Sequence, residues 1–513
     1  MTTLNTTLNV SHDLRSQTPP CSFAQNIKPG NPGFDVTNLF NDAITCAINK
    51  GYTKITGESG EYYFHTPSAA NPACYVNLNG VSNLEIDFPG STFIFRQPGI
   101  SGFAIQGCTD CAIKGLAIDY ELLPFTQLIV QRIDGDYVVV EPMAGYPNVF
   151  QLEKVHSAYA TEYVCFDIRA RNMQPDIQYA IGGTQLMMSY VGQTNRIYFG
   201  SFAAALFQPD DLLIVTARGG NPAINATSSH KLTIKDVTVY TSGGDGIDVD
   251  SSNDVTIEQV TIEPKPGTSR EVSVVAGGIA LNDLKWNNTV RQCTITRACD
   301  DSISGHVRPS DYPIKDLNLI IVGNRITSSL LARGIGFTSV TGVHITQNTI
   351  IGTQQAGIML GGATYELEPQ PVTDAQITHN TLTFTNIGPA GVGKDMLGAI
   401  EVMYYDEKGQ AVNTSLNQRI YVNNNTITTT LRSGIWIGNV TEGAVKDNTI
   451  FGWGVCSDLP NRGLGNDYHL NNGLEPCACT LFLQSTVGWY NTQFVGVDAA
   501  SSDCLGCGPC LDC

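Results

Sequence analysis

ITQNTIIGTQQAGIMLG, residues 345–361, contains two short segments of different kinds. The first, ITQNTI (345–350), reads apolar, two polar, Asn, Thr, apolar. It recurs as ITHNTL (377–382), VNNNTI (422–427) and VKDNTI (445–450). Earlier copies are IKDVTV (234–239), IEQVTI (257–262), VRQCTI (290–295) and IVGNRI (321–326), with a distant one, IKGLAI, at 113–118. The fourth position runs Leu116, Val237, Val260, Cys293, Asn324, Asn348, Asn380, Asn425 and Asn448, commonly 23 to 33 residues apart. Self-similarity at that period marks a solenoid.

The second segment, GIMLG (357–361), also recurs. Its copies are GIDVD (246–250), GIALN (278–282), SISGH (302–306), GIGFT (334–338), AIEVM (399–403) and GIWIG (434–438). Ile247, Ile279, Ile303, Ile335, Ile358, Ile400 and Ile435 stand in phase, and the period of two means strands. Stacked coils of short strands around an apolar column make a parallel β-helix, an all-β fold. Asn at a turn column adopts the left-handed conformation readily and bonds along the stack. The Asn run is therefore read as structural.

Working outward, DVTNLFNDAITCAI (35–48) has helical spacing at Val36, Leu39, Phe40, Ala43, Ile44, Ala47 and Ile48, with Asp35 as N-cap. It reads as a helix that plugs the open end of the stack. Residues 121–220 break the repeat with segments such as QLIVQRI, DYVVVEP and DDLLIVTA, which read as an inserted antiparallel β-domain. The expected organisation is an arm at 1–34, helix and first coils at 35–120, the insert at 121–220, the main β-helix at 221–452 and a Cys-rich tail at 453–513.

The 513-residue chain is 42% hydrophobic and carries a net charge of −18. That charge disfavours nucleic acids and anionic membranes, which reward basic patches. No apolar run is long enough to span a bilayer. Fifteen cysteines, including the close pairs Cys108/Cys111 and Cys293/Cys299, point to disulfides and an extracellular setting. Sequons at Asn225, Asn287, Asn413, Asn424 and Asn439 are compatible with that, although MTTLNTTLNVSHDLRS shows no signal-peptide pattern. The tail cysteines Cys504, Cys507, Cys510 and Cys513 have a spacing that zinc also accepts, but disulfides fit better and no metal or cofactor is expected.

Aligning the coils on the isoleucines gives three outward columns. The head column is Asp245, Gly277, Asp301, Arg333, Ala356, Gly398 and Ser433. The middle column is Asp248, Ala280, Ser304, Gly336, Met359, Glu401 and Trp436. The last is Asp250, Asn282, His306, Thr338, Gly361, Met403 and Gly438. One face thus gathers Asp245, Asp248, Asp250, Asp301, His306 and Arg333, with Asp300 beside Asp301. Coils lie about 4.8 Å apart, so Asp245 and Asp301, two coils apart, are separated by about 9–10 Å. Inverting glycosidases hold their carboxyls about 6.5–9.5 Å apart. Repulsion between Asp300 and Asp301 is expected to keep one carboxyl protonated. The candidate catalytic residues are Asp300, Asp301 and Asp245. Asp248, Asp250, His306, Arg333, Glu401 and Trp436 are the candidate substrate contacts. Asp-Asp and Asp-Gly pairs are also common in turns, and Asp248 with Asp250 would equally suit a calcium ion.

The N-terminal helix, the coils, the Asn column and Asp245-Gly246 followed by Asp300-Asp301 resemble the pectin-lyase-like right-handed β-helix glycoside hydrolases. That group includes polygalacturonases, β-helix dextranases, isopullulanases, α-1,3-glucanases and α-1,3-galactosidases. IDYELLPFTQ (118–127) and DDSISGH (300–306) resemble the galactosidase branch. The resemblance implies inverting chemistry, with one Asp on one coil and an Asp-Asp pair on a later one. Two departures stand out. No Gly-His-Gly or Arg-Ile-Lys of the polygalacturonases follows, and the coil GGIALND (277–283) intervenes between Asp245 and the pair. A neutral α-linked oligo- or polysaccharide is the expected partner. A lyase or epimerase, a glycan transferase and a non-catalytic glycan-binding β-helix are the alternatives, since this scaffold does not fix function.

Overall fold

The isoleucine column is the spine of the molecule. Ile247, Ile279, Ile303, Ile335, Ile358, Ile400 and Ile435 are fully buried, and each faces the next in parallel register. Each such burial is worth about 1.5–3 kcal/mol, and stacking repeats the gain coil by coil. The computed structural model describes residues 7–9, 27–169, 179–180, 196–198, 207–307, 317–362, 371–385, 398–404, 417–430, 433–438, 440, 442–453, 481–484, 489–495 and 504–505.

One coil serves for all. Ile279–Asn282 lies in a sheet that stacks in sequence order from Cys74–Asn79 to Leu481–Gln484. The chain then turns through Thr289–Arg291 and Thr294–Thr296, which belong to a second parallel sheet. It re-enters the first sheet at Ile303–His306. The result is a parallel β-helix.

The Asn column sits at the corner inside the second sheet. Asn324, Asn348, Asn380, Asn425 and Asn448 are buried. Each Nδ2 donates to a carbonyl one coil back, at Val290, Ile321, Ile345, Ile377 and Val422 respectively. The left-handed conformation falls one residue earlier than expected, on Gly323, Gln347, His379, Asn424 and Asp447. That residue turns the chain, and the asparagine after it points inward, where its amide satisfies the corner.

Helix α1, Thr37–Lys50, closes the N-terminal end. Phe40 packs on Phe64, Phe88 and Phe93. The assigned N-cap is Val36, yet Asp35 still accepts the Thr37 N–H at 3.0 Å. Ile48, expected on the apolar face, is exposed. At the other end the solenoid outlasts its sequence signal. Beyond residue 452, Leu481–Gln484 and Trp489–Val495 each add a parallel strand to their sheet.

Among the described residues the insert is a six-stranded sheet, antiparallel along each of its ladders, that includes Phe125–Asp134, Tyr137–Pro142, Glu162–Arg169 and Leu212–Arg218. Helix α2, Val149–His156, opens with a capping box between Asn148 and Gln151 and packs Leu152 against one face. The other face docks on the solenoid through Phe125 and Ile214, which cluster with Val272, Val275, Cys299 and Leu330. The loop 263–276 is pinned between them. Asp119 holds its Lys265 at 2.9 Å and its Arg270 at 2.6 Å. Gln127 of the insert donates to Ser269 O and accepts from Glu271 N.

The paired-cysteine expectation fails at both described pairs. Cys108, Cys111, Cys293 and Cys299 are buried free thiols, as is Cys74. The extended strand Thr294–Thr296 separates Cys293 at the corner from Cys299 at the head of the next strand, and burial pushes both thiols up to about 12. The Cys108 and Cys111 thiols donate to the carbonyls of Leu78 and Val81, each at 3.4 Å. Cys46 is disulfide-bonded. The side chains of Cys504, Cys507, Cys510 and Cys513, and the sequons Asn413 and Asn439, lie outside the described residues. Among the described residues no cluster of metal-binding side chains occurs, and no helix is long and apolar enough to cross a membrane.

Candidate active site

The strand register reproduces the predicted columns. Asp248 pairs with Ala280, Ala280 with Ser304, and Ser304 with Gly336. Asp250 pairs with Asn282, and His306 with Thr338. Asp245, Asp248, Asp250, Asp300, Asp301, His306 and Arg333 therefore share one face.

Asp245 is half-buried at the head of its coil. Its Oδ1 accepts the Gly277 N–H at 2.7 Å, so the side chain leans over the intervening coil towards Asp301. A Cβ on Gly277 would lie 2.8 Å from that oxygen and 3.1 Å from Asp301 O, so only glycine allows the approach. Burial pushes the Asp245 carboxyl up to about 7, reinforced by Asp248 and Asp300 and opposed by the Gly277 N–H and Arg218. Asp248 is raised to about 6 by burial and Asp250, against Asn282 and His306. Asn282 Nδ2 donates to Asp248 Oδ1 at 3.1 Å.

The Asp300-Asp301 pair divides unequally. Asp301 is only 8% exposed. Its Oδ1 accepts from Arg333 N at 2.8 Å and Arg333 Nε at 3.0 Å. Gly336 leaves room for the other oxygen, since a Cβ there would sit 3.0 Å from Oδ2. Burial raises the Asp301 carboxyl to about 6, with Asp300 adding and Arg333 opposing. Desolvation therefore outweighs the neighbour repulsion expected from the sequence. Asp300 is more open, its side chain 40% exposed, and its Oδ2 pairs with Arg218 Nη2 at 2.5 Å. Its Oδ1 accepts the Asp301 N–H.

Two predicted contacts are placed differently. Glu401 is fully buried, and Trp436 is nearly so, with its indole N–H directed to Met403 Sδ. Neither offers a ring or carboxylate to a ligand on the surface. Two residues were missed. Arg218 belongs to the insert, where no coil register points to it; the only signal is its place in TARGG (216–220), where the chain re-enters the solenoid. Asn225, read as a sequon, pairs with Asp248 in the middle column, and its buried Oδ1 has no partner.

A sequence-family model described as the right handed beta helix region matches residues 215–382. The solenoid is a right-handed parallel β-helix. No curated protein sequence matches the chain significantly. Among solved structures, the β-helix is similar to the catalytic unit of a GH87 α-1,3-glucanase from Streptomyces thermodiastaticus. The identity is 16% over 92% of this chain and 68% of that one, with a TM-score of 0.52. It is also similar to a tailspike protein mutant of E. coli bacteriophage HK620 in complex with a pentasaccharide, at 10% identity over 95% of this chain and 66% of that one, TM-score 0.50. A third likeness is PfbA, a surface adhesin of Streptococcus pneumoniae, at 13% identity over 95% and 91%, TM-score 0.49. At such identities the shared property is the fold.

Proposed function

We propose that the protein is an extracellular glycoside hydrolase that cleaves neutral α-linked glycans with inversion at the anomeric carbon. One observation carries the reading. A half-buried carboxyl raised to about 7, Asp245, leans over a glycine floor towards two carboxyls that are each held by an arginine. A carboxyl that holds its proton, set opposite carboxylates held by cations, is what acid/base glycoside cleavage requires.

Asp245 starts protonated and donates its proton to the glycosidic oxygen as the C–O bond breaks. Asp301 and Asp300 face the water. As that water forms its bond to the anomeric carbon, the carboxylate pair takes its proton, and the product carries the opposite configuration. Asp248, Asp250, Asn282 and His306 line the neighbouring face and offer hydrogen bonds to sugar hydroxyls. Charge argues for a neutral glycan. Arg218 and Arg333 are engaged by Asp300 and Asp301, whereas Asp245, Asp248 and Asp250 crowd one strand, so a uronate would meet net repulsion. An eliminating enzyme needs a Lys, Arg, His or Tyr base; the outward columns between Asp245 and Gly361 hold only Arg333 and His306.

The test is a panel of neutral α-linked oligosaccharides, read by reducing-sugar release and by NMR of the first-formed anomer. Asp245→Asn, Asp300→Asn and Asp301→Asn are assayed in parallel. Hydrolysis with inversion, lost in these variants, is the expected result. Full activity in all three folded variants, or the appearance of unsaturated uronates, contradicts the proposal.

A further inference from the structure

The strand Leu212–Arg218 closes the insert and returns the chain to the solenoid. Alternation along a strand decides what each side chain faces. Leu213, Val215 and Ala217 join the insert's own core. Ile214, of the opposite parity, joins the junction with Val272, Val275, Cys299 and Leu330. Arg218 shares the parity of Ile214 and so faces the solenoid.

There the guanidinium contacts two carbonyls and a carboxylate. Nε donates to Val275 O at 2.9 Å, and Nη2 donates to Cys299 O at 3.4 Å. Nη2 also meets Asp300 Oδ2 at 2.5 Å. The two carbonyls anchor the fork to the loop 263–276 and to the turn ahead of Asp300. The fork then fixes the carboxylate. With Asp300 Oδ1 accepting the Asp301 N–H at 3.0 Å, each oxygen has a partner and the group has one orientation. Without Arg218 a single bond remains, on a side chain 40% exposed to water.

We propose that Arg218 is a positioning residue, which holds the Asp300 carboxylate in its reacting orientation, so that the inserted domain is a working part of the active site. In its kinetic consequences this rests on the hydrolase reading above. Its electrostatic consequence does not. The groups that face Asp245 are Asp248 on its own strand, the Gly277 N–H on the intervening coil, Asp300 on the coil beyond and Arg218 from the insert. Arg333, on the following coil, is engaged with Asp301. Removing Arg218 takes away a cation that opposes the rise at Asp245 and leaves two carboxyls that add to it.

The experiment uses the full chain and four variants: Arg218→Gln, Arg218→Lys, Arg218→Ala and Gln127→Ala. Gln127→Ala cuts another tether between insert and loop without touching a carboxyl. In Arg218→Gln, kcat is expected to fall about 10- to 100-fold through misplacement of the base, with KM within about two-fold. The alkaline limb of the pH profile should rise by about half a unit or more. Arg218→Lys keeps the charge but loses the fork, so it should lower kcat while leaving the limb in place. Added guanidinium should restore part of the kcat of Arg218→Ala. Gln127→Ala should leave the limb unmoved.

In parallel, the Asp245 carboxyl is titrated by carbon-13 NMR in unliganded protein, with its signal assigned from Asp245→Asn. It should titrate higher in Arg218→Gln than in the parent, whether or not any glycan is cleaved. If that titration stays put in folded protein, or if Gln127→Ala reproduces every effect of Arg218→Gln, the inference is wrong. If the titration moves but the parent cleaves nothing on the panel, the hydrolase reading fails, while the coupling of the insert to the acidic centre stands. Should Arg218→Gln not fold, the Arg218→Lys profile decides: unchanged kcat overturns the positioning role.

Discussion

Two columns of polar side chains run along the same solenoid and serve opposite ends. At the corner, Asn324, Asn348, Asn380, Asn425 and Asn448 repeat one residue, and every amide finds a carbonyl one coil back. On the outer wall, successive coils carry different residues, and Asp245, Asp248 and Asp301 are crowded until their proton affinities rise. Both sets leave water. The asparagines regain what they lose in hydrogen bonds, whereas the aspartates retain a desolvation cost that chemistry can use. Repetition marks what holds the molecule together, and departure from repetition marks what acts.

The contrast is sharpest in substitution. Asp301→Asn and Asp245→Asn are expected to lower kcat by about 10²–10⁴-fold, the usual share of a general acid or base, with the thermal midpoint at neutral pH held or raised. Asn348→Ala should do the reverse. It orphans the Asn324 N–H and the Ile321 carbonyl, costing about 2–4 kcal/mol in chemical denaturation, while the folded fraction keeps its kcat. An aspartate variant that unfolds, or an asparagine variant that folds normally but loses kcat, breaks the division.

The pH dependence separates the two columns next. kcat/KM should follow a bell whose acid limb, near about 6, reports Asp301 and whose alkaline limb, near about 7, reports Asp245. Stability runs the other way from most carboxylates. Both folded values lie above the ordinary aspartate value of 3.8, so the native state holds the extra protons. Their stabilising contribution is complete below about pH 3.8 and is lost as pH rises through 6 to 7. Asp245→Asn should accordingly raise the melting midpoint at pH 8 by more than at pH 4, and equal shifts at both would remove the burial argument. The smallest expected effect is at Asn225. Asn225→Ala deletes an unpartnered acceptor beside Asp248, and KM should rise about 3- to 10-fold at constant kcat if a sugar hydroxyl fills that position.

What the sequence made legible follows the same division. Ile247 to Ile435 could be aligned by eye because burial demands one residue type at one period, and that alignment carried Asp245, Asp248, Asp250, Asp301 and His306 onto their wall. The asparagine corner was legible as a column, but its left-handed residue was not, because Gly323, Gln347, His379, Asn424 and Asp447 share no chemistry. Arg218 was invisible, since it reaches Asp300 from a separate fold unit 82 residues away. Glu401 and Trp436 stood in the correct columns, yet column position reports direction, not cover, and both are buried. The strands after residue 480 were missed because the NTI-type motif is absent there, although the ladder continues.

The coil Gly277–Asn282 has a wider consequence. A stacked wall alters the gap between two of its groups only in whole storeys, each about 4.8 Å high. Lineages that add or drop one storey between the acid and the base would therefore jump between reach classes without passing through intermediates. Fine adjustment is left to the lean of a side chain, and here that lean is granted by a single missing methyl at Gly277.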